Sequence, residues 1–234
     1  MNPSLFVSLD GPKGVGKTTL LEALALKLRR DGYKVVRLSE RNHDPYRAEI
    51  MALVNALARQ PDIDLERRVC ARLADSRAWI SRHVLPNQLP GSVILMDRWF
   101  ASDAAFRRGV PFEDILRFNL QRAVQVPDLQ VAVVTPAPVS WARAKARRAG
   151  LRSTVVQTMQ EHEVCTESFE RAMVDQGWLV CHNEGPLETV VSQLAAHVLV
   201  RLQAGALSSR AGGPKASSAA QISTMAEPDA RADG

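Results

Sequence analysis

Aromatic residues are scarce in this 234-residue chain, making up 5% of it. A basic cluster at Arg143, Lys145, Arg147, Arg148 and Arg152 has no aromatic side chain interleaved with it, which argues against a stacking groove for single-stranded nucleic acid. The formal net charge of +5 therefore does not point to a nucleic-acid partner. Cysteine is also sparse. Cys70, Cys165 and Cys181 are odd in number and form no C-x-x-C pair, so neither a zinc ribbon nor a disulfide framework is expected, and reduced cytoplasmic thiols are. No apolar run approaches the roughly 18 residues that span a bilayer. The N-terminus enters a strand without a basic leader, so no secretory signal is expected either.

What is present suits one globular domain, with 46% hydrophobic and 24% charged residues. The composition changes after residue 203. Residues 204–234 are rich in Ala, Ser, Gly and Pro, with Leu207, Ile222 and Met225 as the large apolar side chains. Such a segment buries too little to offset the entropy of ordering, so a domain over 1–203 with a disordered tail over 204–234 is predicted.

Strand-like apolar runs fall at 5–9, 34–38, 92–96, 129–134 and 178–181, most of them introduced by Gly or Pro breakers. Helical patterns fall between them, at about 17–30, 44–59, 64–85, 99–108, 111–125, 137–149, 154–176 and 186–203. This alternation predicts an α/β fold of three layers, a five-stranded parallel sheet with helices on both faces and ligands at the carboxyl ends of the strands.

The segment after the first strand fits G-x-x-x-x-G-K-[ST], with Gly11, Gly16, Lys17 and Thr18 in the fixed positions and Pro12, Lys13, Gly14, Val15 and Thr19 completing the loop. Strand, glycine loop and helix together turn consecutive backbone N–H groups inward around a polyphosphate. ATP is the expected ligand, with Lys17 on the β- and γ-phosphates and the Thr18 hydroxyl on Mg2+. The third strand ends in Asp97-Arg98. There a carboxylate sits beside the loop to hold Mg2+, and an arginine fork binds phosphoryl oxygens. The cluster from Arg143 to Arg152 is expected to form a lid over 143–153 that closes on the transferring group and excludes water. Arg148 and Arg152 are its candidate catalytic members, although sequence alone does not choose among the lid arginines.

With these motifs in place the chain resembles the thymidylate kinase family over about residues 5–202. The family's Asp-Arg-Tyr-x-x-Ser-x-x-Ala-Tyr-Gln segment corresponds to residues 97–107, which include Asp97, Arg98, Ser102, Phe106 and Arg107. Its Phe-x-x-x-Arg segment corresponds to Leu73 and Arg77, and Asn119 and the Pro127-Asp128-Leu129 strand entry also agree. The resemblance implies the P-loop kinase fold and transfer of a phosphoryl group from ATP to a small nucleotide, most simply thymidylate. It also implies a homodimer, for which the long helix around 65–85 could supply the interface.

The departures concern the base and the sugar. The acid that the family carries in its loop is Lys13 here, its acceptor-binding arginine after strand 2 is Ser39 with Arg41 nearby, its stacking phenylalanine is Leu73, and its base-reading glutamine is Arg107. Such changes can shift the substrate toward a modified pyrimidine, or other side chains can compensate for them and leave thymidylate as the substrate; an arginine at 107 favours an acceptor-rich or anionic base edge. Two other readings stay open. The loop also resembles that of viral-type thymidine kinases, which phosphorylate nucleosides, and Glu40 would then be the base for a 5′-hydroxyl. The altered acceptor residues also fit a catalytically weak nucleotide-binding regulator.

Overall fold

The computed structural model describes residues 4–147 and 155–211, with 206–211 described by backbone only. Five strands, β1 (Leu5–Asp10), β2 (Val35–Ser39), β3 (Val93–Asp97), β4 (Leu129–Val134) and β5 (Leu179–His182), form one parallel sheet in the order β2-β3-β1-β4-β5. β1 is central and buried at every position, which is why its sequence is an almost unbroken apolar run.

The two faces of β1 separate the core. Leu5, Val7 and Leu9 point with Val93, Leu95, Val131 and Val133 toward α1 (Lys17–Arg30) and α8 (Leu187–Ala211), whose Leu20, Leu24, Leu194 and Val198 complete that cluster. Phe6, Ile94, Met96 and Val134 take the other face. They meet side chains from α4 (Ile63–His83), α5 (Phe112–Gln121) and α7 (Met159–Gln176), among them Ile80, Ile115 and Phe169. This is the expected three-layer arrangement. Where the strand order reverses around β1, the carboxyl ends of β1 and β3 open a crevice, and the functional residues gather there.

Helix boundaries differ from the sequence expectation for local reasons. The helix expected over 44–59 is α3 (Arg47–Arg59), three residues shorter at its start, and it is preceded by a short helix that was not expected, α2 (Glu40–His43). Pro45 disfavours helical backbone at Asp44, which is extended and accepts hydrogen bonds from Tyr46 N at 2.9 Å and Ser76 Oγ at 2.7 Å. The helix expected over 99–108 is a 3-10 turn, Phe100–Ala105. Asp10 Oδ1 accepts from Trp99 N, Ser102 N and Ser102 Oγ, at 2.8, 3.0 and 2.6 Å, and draws that segment onto the end of β1. α5 stops at Gln121 rather than 125, before Ala123 with its positive φ of 55°. α7 starts at Met159, not 154, behind a capping box of Thr158 and Glu161. α6 (Ala137–Lys145) ends before the expected 149. α8 continues helical to Ala211, past the change in composition at 203; residues 212–234 of the expected tail lie outside the described residues.

Candidate active site

The loop between β1 and α1 is held in shape from both sides. Gly11, Gly14 and Gly16 have positive φ, and a Cβ at Gly11 would meet the Val133 carbonyl, at Gly14 the Ser140 carbonyl. The loop can therefore lie directly against β4 and α6 only with glycine at these positions. Val15 is fully buried, and its carbonyl accepts a hydrogen bond from Asn183 Nδ2 at 2.7 Å. The first turn of α1 follows Gly16 with no side-chain cap, leaving its N–H groups to a ligand. Pro12 is buried, while Thr18 and Thr19 are exposed at the loop exit.

Cations converge on this loop. Lys17 is buried, and its Nζ donates to the carbonyls of Gly11 and Pro12 at 2.7 and 2.6 Å. Burial holds its pKa well below the lysine range and Arg98 lowers it further, with Asp97 and Asp10 opposing. Burial likewise lowers Lys13 to about 8, helped by Arg98 and Arg147. Like charges gathered at some desolvation cost are the electrostatic counterpart of a polyphosphate. Thr18 Oγ1 donates to Asp97 Oδ2 at 3.2 Å across the β1–β3 crevice. Among the described residues there is no cluster of three or more His, Cys, Asp or Glu side chains that could hold a metal. One hydroxyl and one carboxylate instead suit a hard cation that keeps water and phosphate oxygens as its remaining ligands.

A cavity of about 970 Å³ opens beside the loop. It gathers every candidate acceptor residue: Glu40 and Arg41 from α2, Leu73 and Arg77 from α4, Arg98 after β3, and Ser102, Phe106 and Arg107 from the 3-10 turn and its exit. Arg77 is 1% exposed and spans two carboxylates, donating from Nε to Glu40 Oε1 and from Nη1 to Asp103 Oδ2, both at 2.7 Å. Burial tends to lower its pKa, but Asp103 and Glu40 outweigh that and raise it. Glu40 moves the other way. Burial pushes it up to about 6, against the pull of Arg77. Arg98 has the left-handed φ of 73°, a strained conformation that places its guanidinium 5.1 Å from the centre of the Phe106 ring. Ser102 reaches the wall, but its hydroxyl is engaged by Asp10.

Two features escaped the sequence. Asp103 lies next to Ser102 in the segment matched to the family, yet its partnership with Arg77 is tertiary and no spacing rule announces it. In the basic cluster, Arg147 is the described member whose charge reaches both loop lysines. Arg143 is turned aside, donating to the Asn183 carbonyl at 3.1 Å, and Lys145 lies 5.9 Å from the centre of the Trp141 ring. Arg148 and Arg152 fall outside the described residues.

A polyphosphate cradle and an arginine-walled cavity share the Asp97-Arg98 corner, so donor and acceptor phosphates can meet there, and fold and site define a phosphotransferase of the nucleoside monophosphate kinase class. The family model described as thymidylate kinase matches residues 9–194. The chain belongs to the thymidylate kinase family. It is 28% identical over 202 residues to a protein named thymidylate kinase from Xanthomonas campestris pv. campestris, covering 85% of this chain and 84% of the relative. A thymidylate kinase from Halalkalibacterium halodurans is 30% identical over 182 residues, with 73% and 83% covered. One from Bradyrhizobium sp. is 32% identical over 151 residues, with 61% and 65% covered.

Proposed function

We propose that the chain transfers the γ-phosphoryl group of ATP to a deoxynucleoside 5′-monophosphate, thymidylate or a modified pyrimidine relative, yielding the diphosphate and ADP. The observation that carries this reading is the cavity of about 970 Å³, which adjoins the glycine loop and has Arg77 and Arg98 in its wall. The names of the relatives support thymidylate as the acceptor.

In this reading the loop from Gly11 to Thr19 binds ATP through the backbone N–H groups of its residues other than Pro12, which shapes the loop without donating, and Lys17 exchanges its two carbonyl partners for phosphate oxygens. Thr18 and Asp97 would hold Mg2+, which neutralises charge on the phosphates when bound. Arg98 and Arg77, both in the cavity wall, orient the acceptor phosphate. One of its oxygens forms the new bond to the γ-phosphorus as the bond to the departing ADP oxygen breaks. That acceptor is already ionised, so no base is needed and positioning carries the reaction. Arg147 closes from the lid, and Arg148 and Arg152 remain its candidates within the undescribed segment. Among the described residues no helix is long and apolar enough to cross a membrane. A cytoplasmic homodimer belongs to the same reading, and light scattering checks the oligomer.

A nucleoside acceptor is the second reading, favoured by Glu40, a cavity carboxylate raised to about 6 and therefore suited to taking a proton from a hydroxyl. Coupled ADP release measured with thymidine and with thymidylate separates the two. Release with thymidylate alone supports the monophosphate reading, and release with thymidine alone overturns it. No release with any nucleoside or monophosphate would leave a regulatory nucleotide-binding module.

A further inference from the structure

Arg98 keeps a backbone conformation that its side chain disfavours, so its surroundings must hold it there. Its φ of 73° lies in the left-handed region, which a residue other than glycine keeps only when the structure around it over-determines it. Two consecutive amides supply that constraint. Arg98 N donates to the Leu9 carbonyl at 3.2 Å, and Trp99 N donates to Asp10 Oδ1 at 2.8 Å. The strained Cα is thus tied on both sides to the last two residues of β1. Trp99 has no room to follow a relaxation. It is fully buried, its ring meets Phe6 edge-on at 5.6 Å, and its indole N–H donates to the Gln125 carbonyl at 2.9 Å.

Asp10 does more than hold Trp99. The same oxygen accepts from Ser102 N and Ser102 Oγ, which fixes the 3-10 turn behind Arg98. Asp10 is 1% exposed, and its other oxygen is buried with no hydrogen-bond partner among the described residues. A buried carboxylate left half-satisfied is costly, and an asparagine or a serine would serve the fold at less expense of charge. Asp10 also leads directly into Gly11. One side chain therefore joins the start of the phosphate-binding loop to the arginine in the wall of the acceptor cavity.

We infer that Asp10 is a positioning residue for phosphoryl transfer, which acts by locking Arg98 in its left-handed conformation and so fixes the acceptor arginine relative to the glycine loop. A charged acceptor binds the three donors more strongly than a neutral one, and this offsets the strain at Arg98. The inference rests on the monophosphate kinase reading and assigns that site a residue that touches neither nucleotide.

The test is a double-mutant cycle of wild type, Asp10→Asn, Arg98→Ala and the double variant, with thymidylate as acceptor in an ADP-release assay. Asp10→Asn is expected to lower kcat/KM for thymidylate by about tenfold to a hundredfold, because weakened hydrogen bonds free Arg98 to move off the acceptor. In the Arg98→Ala background the same change is expected to have no further effect. Additive losses, or an unchanged kcat/KM in Asp10→Asn, overturn the inference. Asp10 also opposes the lowering of the Lys17 pKa, so ATP affinity is measured by calorimetry in the same proteins. Unchanged affinity in Asp10→Asn supports action through Arg98, and a loss matching that in kcat/KM overturns it. Should Asp10→Asn fail to fold, Ser102→Ala, which removes one of the three donors, takes its place with a smaller expected loss and the same criteria. Absence of turnover by wild type sinks the kinase reading instead. Thymidylate binding by the four proteins then decides the inference, with non-additive losses supporting it and additive losses overturning it.

Discussion

Arg77 donates through Nε to Glu40 at 2.7 Å, and both side chains are largely withdrawn from water in the wall of the acceptor cavity. Because Asp103 holds the opposite side of the same guanidinium, Arg77 is fixed before any substrate arrives. Its orientation does not depend on Glu40 alone, and this bears on what replacing Glu40 does.

In Glu40→Gln the amide oxygen can still accept from Arg77, so turnover with a monophosphate acceptor is expected to fall by less than about tenfold, since a neutral acceptor forfeits only part of a charged hydrogen bond. Complete loss in steady-state assays would point to Glu40 as a catalytic base.

The same variant reports on pH. Burial raises Glu40 from 4.5 to about 6, so the folded protein favours its neutral form. Its contribution to stability is complete below the unfolded value and is lost as pH rises through about 6. Urea unfolding from about pH 4 to 7 should show wild type losing up to about 2 kcal/mol relative to Glu40→Gln. Parallel pH profiles would contradict the assignment.

Lys17→Ala removes the ammonium that holds the Gly11 and Pro12 carbonyls in the free loop. ATP affinity is expected to drop by about a hundredfold or more, the loss of charged hydrogen bonds to phosphate. Titration calorimetry measures it, and retained affinity would contradict the role given to the loop.

Much of this organisation was legible in the sequence because it is carried by local pattern. The β1 run, the glycine loop and the Asp97-Arg98 strand end each combine short spacing with a distinctive composition, and all three meet at the carboxyl ends of the interior strands β1 and β3. Asp44 and Asp10 show where such reading stops. A proline and an extended Asp44 delay the start of one expected helix to Arg47, and three hydrogen bonds to Asp10, about ninety residues away in sequence, turn another into a 3-10 segment. The Arg77–Asp103 pair is invisible for the same reason, since it joins α4 to the exit from β3 through tertiary packing.

Gly14 is variable in the loop motif but constrained in the molecule. Its φ is 79°, and a Cβ there would meet the Ser140 carbonyl of α6. Gly14→Ala is expected to cost about 1–3 kcal/mol through left-handed strain, with further cost from displacing α6. A lower midpoint in thermal unfolding, together with weakened ATP binding, checks this.

Asp97→Asn keeps the size of the side chain and its contact with Thr18 while removing the charge. Turnover is expected to fall by about a hundredfold to a thousandfold, with unfolding nearly unchanged. Increasing Mg2+ should restore part of the rate, and a rate indifferent to the substitution would remove Asp97 from the site.

The central claim is transfer between two nucleotides at the corner shared by the loop and the cavity. Its most direct test is acceptor-dependent ADP release by the full chain with ATP, Mg2+ and a panel of deoxynucleoside monophosphates that includes thymidylate. The account predicts release that requires a pyrimidine monophosphate and disappears in Lys17→Ala. Release from no monophosphate in the panel would contradict it.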